Sequence, residues 1–162
     1  MSTVRRPPVI RTLTPDECVE ILTRNHVGRL AYSRANHIGI EPLHYVYHGG
    51  WLYGRTSEGT KITITGYSWH PVAFEVDEVE SVFQWRSVVV HGGFYTIPSP
   101  PEEGQLEEWE RGVELLRAII PETFDDDDPV PFRTILFRIA VQEVSGREAT
   151  PWAEPLPAPD EE

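Results

Sequence analysis

Between Val27 and Arg55 the chain repeats one pattern three times. The runs Val27 to Tyr32, Ile38 to Tyr47 and Trp51 to Arg55 are rich in β-branched and aromatic residues, and the gaps between them hold Ala35-Asn36 and Gly49-Gly50. Gly and Asn accept the positive φ that a two-residue hairpin turn demands. The spacing therefore predicts an antiparallel meander, and such a sheet must curl or be covered to hide its apolar face. Val72 to Val79 and Ser87 to Ile97 read as two more strands, the second interrupted by Gly92-Gly93, where a bulge or a close backbone contact is expected. A last strand is expected from about Thr134 to Val144, ending at Ser145-Gly146-Arg147.

Two helices punctuate the strands. Thr14-Pro15-Asp16-Glu17 supplies an N-cap, a proline at the first helical position and the glutamate of a capping box, with Leu13 placed to staple Cys18. That helix should reach about Asn25, with Cys18, Ile21 and Leu22 as its apolar stripe. After the Pro98 to Pro101 break, Leu106, Trp109, Val113, Leu116 and Ile120 recur at helical spacing, with glutamates early and Arg117 late. Asp125 to Asp128 then read as a solvated acidic loop, because consecutive carboxylates cannot all converge on one ion. Six antiparallel strands with two helices argue for a mainly β architecture, a barrel with helices outside it.

One domain is expected over residues 1–148, followed by a flexible Pro- and acid-rich tail over 149–162. A net charge of −12 argues against a nucleic-acid or anionic-membrane partner. The single cysteine, Cys18, rules out an intramolecular disulfide and a thiolate zinc cage. No apolar run nears membrane-spanning length and Met1 to Pro8 lacks a secretory h-region, so a cytoplasmic location is expected.

The chain's one lysine, Lys61, closes the segment Arg55-Thr56-Ser57-Glu58-Gly59-Thr60-Lys61. A guanidinium, hydroxyls, a glycine and an ammonium within seven residues suit a phosphate dianion, although an ordinary polar turn has the same composition. Glu75 and Asp77 alternate with Phe74 and Val76 and so share one face, expected to be solvated or at an interface. No Ser/His/Asp or Cys/His nucleophile arrangement stands out, and no catalytic side chain is assigned.

Several local patterns recur in order: Val27-Gly28-Arg29-Leu30-Ala31, Pro42-Leu43-His44-Tyr45, Leu52 to Lys61, Val72 to Asp77, Trp85 to Gly92, and Phe137-Arg138-Ile139 leading to Gly146-Arg147. Together they resemble the pyridoxamine 5′-phosphate oxidase-like family of FMN-binding split barrels, particularly its small uncharacterised and nitroimidazole-reductase-related members. The resemblance implies a six-stranded antiparallel split β-barrel and a homodimer with FMN in a cleft at the subunit interface. It implies phosphate contacts from Arg55, Thr56, Ser57 and Lys61, and flavin-ring contacts from main-chain groups around Leu43, His44 and Tyr45. Trp85, Arg86 and Ser87 would approach from a neighbouring region or from the partner subunit. It also implies a short helix after Lys61, where Ile62-Thr63-Ile64-Thr65 has strand propensity. The function implied is that of an FMN-dependent oxidoreductase passing electrons between small-molecule donors and acceptors. An F420-binding reductase of the same fold and a non-catalytic flavin or haem carrier are the rival readings.

Overall fold

The computed structural model describes residues 6–57 and 70–152. Its elements are β1 (Val9–Thr12), α1 (Pro15–Arg24), β2 (Val27–Arg34), β3 (His37–His48), β4 (Trp51–Thr56), β5 (His70–Ser81), β6 (Gln84–Ile97), α2 (Leu106–Ile119), β7 (Ile135–Ala140) and β8 (Glu143–Thr150). Lys61, the Ile62 to Thr65 stretch and the tail beyond Trp152 lie outside the described residues.

All strands pair antiparallel in the order β1-β8-β6-β5-β2-β3-β4-β7, and a further β6–β7 pairing closes β6, β5, β2, β3, β4 and β7 into a ring of six. This is the split barrel expected from the sequence. Both hairpin turns form where the sequence predicts them: Gly49 and Gly50 have φ of 57° and 84°, Asn36 of 61°, and Ala35 of 47°, a value its Cβ disfavours. Alternation along the strands turns Leu30, Leu43, Tyr45, Leu52, Phe74, Val76, Val88, Val90, Phe94, Phe137 and Ile139 into the barrel, all buried.

The capping box of α1 is present: Glu17 N donates to Thr14 Oγ1 at 3.2 Å, and Thr14 N donates to Glu17 Oε1 at 3.1 Å. The helix packs on β8, β3 and β6, and its stripe Cys18, Ile21 and Leu22 closes one side of the core. Gly146 permits that approach, since a Cβ there would press on Cys18 Sγ and Leu13. Helix α2 lies on β4, β7 and β3, burying Val113 and Leu116 against Leu136 and Ile97 in a second, smaller core.

The single last strand expected to end near Val144 is instead two, β7 and β8, running end to end along β6. The register moves by one residue between Phe94↔Ile139 and His91↔Glu143, so on β6 only Gly92 and Gly93 stand opposite Ala140, Val141 and Gln142. That is a bulge, and a Cβ on Gly92 would collide with the Ala140 carbonyl. The tail boundary is corrected too: Ala149 and Thr150 belong to β8, pairing with Ile10 and Val9 of a strand the sequence did not signal, and Ala149 is buried.

Candidate functional site

Strands β3 and β4 leave their hairpin paired and then part. Their ladder runs from His48↔Trp51 to Tyr45↔Gly54 and stops. Beyond it, residues 37–44 of β3 pair only with β2, while Arg55 and Thr56 pair with Leu136 and Ile135 of β7. The α2–β7 connection fills the fork. It is pinned to β4 by Asp128 bonding Arg55, and to β3 by Arg133 donating to Glu41. A pocket of about 250 Å³ remains between them, lined by Val27, Pro42, Leu43, His44, Arg55, Leu116, Ile120, Val130, Phe132 and Arg133. Its walls are mostly apolar, with His44 exposed on β3 and Phe132 exposed on the connection.

The chemistry of the fork centres on the Arg55–Asp128 pair. Both side chains are buried, at 4% and 3% exposure. Arg55 Nη2 donates to Asp128 Oδ1 at 2.9 Å and Nη1 donates to Oδ2, a bidentate arrangement. The Phe124 and Val130 amides donate to the same carboxylate at 2.9 and 3.0 Å, and the Phe124 ring lies 5.1 Å from the guanidinium. The hydrogen bond from Arg55 holds the Asp128 carboxyl well below the usual range. Burial opposes this, and the two amides reinforce it.

These observations correct part of the expected site. Arg55 is not a free counter-charge for a phosphate, because its charge is already matched inside the fold. Asp128 is not part of a solvated loop, although Asp125, Asp126 and Asp127 are exposed. Thr56 is fully buried, whereas Ser57, just past β4, is half-buried. Leu43 and His44 line the pocket, but Tyr45 points into the barrel, its hydroxyl donating to the Leu22 carbonyl at 2.8 Å. Its amide donates to the His26 carbonyl at 3.0 Å, and burial raises its phenol above the ordinary value. Lys61 lies outside the described residues.

Trp85 and Arg86 stand in a second cleft of about 330 Å³, with Arg24, Glu78, Gln84 and Glu148 among its walls. Within one chain this cleft shares no lining residue with the fork pocket. Arg86 is bonded to Glu148, which also accepts from Arg11 Nε at 2.8 Å. Burial alone would raise the Glu148 carboxyl; the Arg86 and Arg11 bonds bring it below its ordinary value. Ser87 Oγ donates to Glu75 at 3.2 Å, and Arg29 bridges Glu75 and Asp77 at 3.1 and 3.0 Å, so the paired acids form an ion-pair cluster.

The outer face around Arg29 is covered by neither helix. Val27, Ile38, Ile40 and Val79 are 52%, 73%, 71% and 65% exposed there, and Ala31 lies between Ile40 and Ala73. Val27, Pro42 and His44 belong both to this face and to the pocket rim. Among the described residues no three His, Cys, Asp or Glu side chains are grouped to hold a metal ion. No helix there is long and apolar enough to cross a membrane.

The sequence profile of the family described as pyridoxamine 5′-phosphate oxidase matches residues 14–148. An uncharacterized protein of Rhizobium meliloti (strain 1021) is 31% identical over 90 residues, a match spanning 56% of this chain and 59% of that protein. The crystal structure of a FAD-binding protein from Mesorhizobium loti superposes with a TM-score of 0.68 at 30% identity, covering 88% of this chain and 99% of that one. A FAD-binding protein from Mycobacterium smegmatis superposes with a TM-score of 0.60 at 25% identity, covering 86% and 98%.

Proposed function

The chain belongs to the pyridoxamine 5′-phosphate oxidase family, and from that premise we propose that it is a flavin-dependent oxidoreductase. The observation that carries this reading is the fork itself, where β3 runs past the end of its β4 ladder beside an apolar pocket. The fork suits the planar ring of a flavin, which has apolar faces and one polar edge. Leu43, Pro42, Val130 and Phe132 would flank the faces, and main-chain groups of Leu43 and His44 would meet the edge. Bound there, the flavin would supply electron or hydride transfer at its N5. The chain's own part is to bind, orient and shield.

Phosphate recognition falls in this reading to Ser57 and Lys61 rather than to Arg55. We propose FMN as the form held, with FAD, which contains the same moiety, as the variant that the named relatives favour. The pocket rim shares residues with the uncovered outer face, so a second copy packed on that face would roof the cleft. An isologous two-fold contact with its axis along the strands would also set the partner's Trp85 to Ser87 edge opposite β3 and the fork. The acceptor would be a small molecule, and the family's namesake substrate is not assumed.

An absorption spectrum of the freshly purified protein, with mass identification of whatever denaturation releases, tests the cofactor. FMN or FAD is expected. F420 or haem would keep the fold and replace the chemistry, and a protein that stays colourless when FMN and FAD are added would overturn the reading. Lys61→Ala should weaken FMN at least about tenfold, the weight of a charge-assisted contact, and leave riboflavin nearly unchanged. Equal losses for both ligands would remove Lys61 from the phosphate site.

A further inference from the structure

The pocket wall carries two guanidinium groups, and both are matched by carboxylates: Arg55 by Asp128 and Arg133 by Glu41. The Arg55 pair is the deeper one, and in a buried setting a unit charge acts on its neighbours far more strongly than in water. Asp128 reaches Arg55 across 73 positions of sequence and is held by two backbone amides besides. Its carboxylate therefore stays charged and in place, and the wall beside Leu43 and His44 is electrically neutral.

We propose that Asp128 is a positioning residue that sets the electron affinity of the bound flavin, by cancelling the charge of Arg55 at the pocket wall. This rests on the flavin reading above. Two electrons and one proton convert the neutral oxidised ring to an anion, so a net positive wall favours the reduced form and a net negative wall opposes it. Asp128 holds the site between these limits and orients the guanidinium against the Phe124 ring. It acts through Arg55 and touches no reacting atom.

The test is the midpoint potential of the full-length, flavin-loaded protein, titrated with dithionite against a reference dye. Asp128→Asn should raise the potential, with the reduced form gaining roughly tenfold over the oxidised, about 30 mV for a two-electron couple. Arg55→Gln should lower it by a similar amount, and the double variant should return near the starting value. Shifts of one sign in both single variants, or none in either, would overturn the proposal. A merely structural pair would weaken both oxidation states equally and leave the potential where it was. If Asp128→Asn does not fold, the downward shift in Arg55→Gln decides. Wild-type protein that takes up no flavin would sink the underlying reading, whereas flavin bound with unmoved potentials would sink this inference alone.

Discussion

A single carboxylate ties the α2–β7 connection to β4. Asp128 joins the end of β4, through Arg55, to the backbone at Phe124 and Val130. Removing one partner of a buried ion pair leaves an uncompensated charge, so Asp128→Asn should cost about 3–5 kcal/mol of stability at neutral pH. The pH dependence has a definite sign. The folded-state value of Asp128 lies below its unfolded value, so its contribution is complete above the unfolded value and is lost as pH falls toward the folded one. Denaturant melts should show the gap between wild type and Asp128→Asn constant above about pH 5 and narrowing below about pH 4. A gap that widened in acid would contradict the pairing. None of this was legible locally, because Asp128 stands in a run of four identical residues. What singles it out is a partner 73 positions away, and sequence pattern carries no signal for that.

Elements whose signals are local were legible, and those stabilised from a distance were not. Helix α1 shows every cue at its start, and Asn36, Gly49 and Gly50 accept the positive φ of their turns, whereas Ala35 is carried to φ 47° against its Cβ by the strands on either side. Thr14→Ala should accordingly cost about 1 kcal/mol by thermal melting, and no loss would mean that packing alone holds the helix end. The break between β7 and β8 has no glycine, proline or asparagine, because its amides find distant partners. Val141 N donates to the Gly50 carbonyl at 3.0 Å and Gln142 N to the His91 carbonyl at 3.1 Å. The β1–β8 pairing was hidden for the same reason: four exposed residues, Val9 to Thr12, become a strand only when Thr150 to Arg147 lie beside them. Ending the chain after Glu148 should remove two rungs of that ladder and the buried Ala149 methyl, costing on the order of 1–2 kcal/mol. Ending it after Trp152 is the control, and equal stability of the two truncations would show that those two rungs are dispensable.

At the scale of the molecule, the chain carries a net charge of −12, yet among the described residues an apolar face is covered by neither helix. Like charges oppose self-association, so a homodimer on this face must gain from Ile38, Ile40, Val27 and Val79 more than that repulsion costs. Ala31 and Ala73 at the middle of the face would let a second sheet approach closely, and Arg29 is already paired with Glu75 and Asp77, so the guanidinium would not be buried alone, while one carboxylate charge in excess remains for the contact to accommodate. Two consequences separate this dimer from a chance contact. Added salt should strengthen it by screening the repulsion, the reverse of an interface held by exposed ion pairs. Ile38→Glu with Ile40→Glu should give single-chain mass in sedimentation, and flavin affinity should fall with it, because Val27, Pro42 and His44 of the cleft rim would also belong to the proposed interface. A monomer that kept wild-type flavin affinity would show that one chain completes the cleft alone. A double variant that stayed dimeric would move the interface to another face.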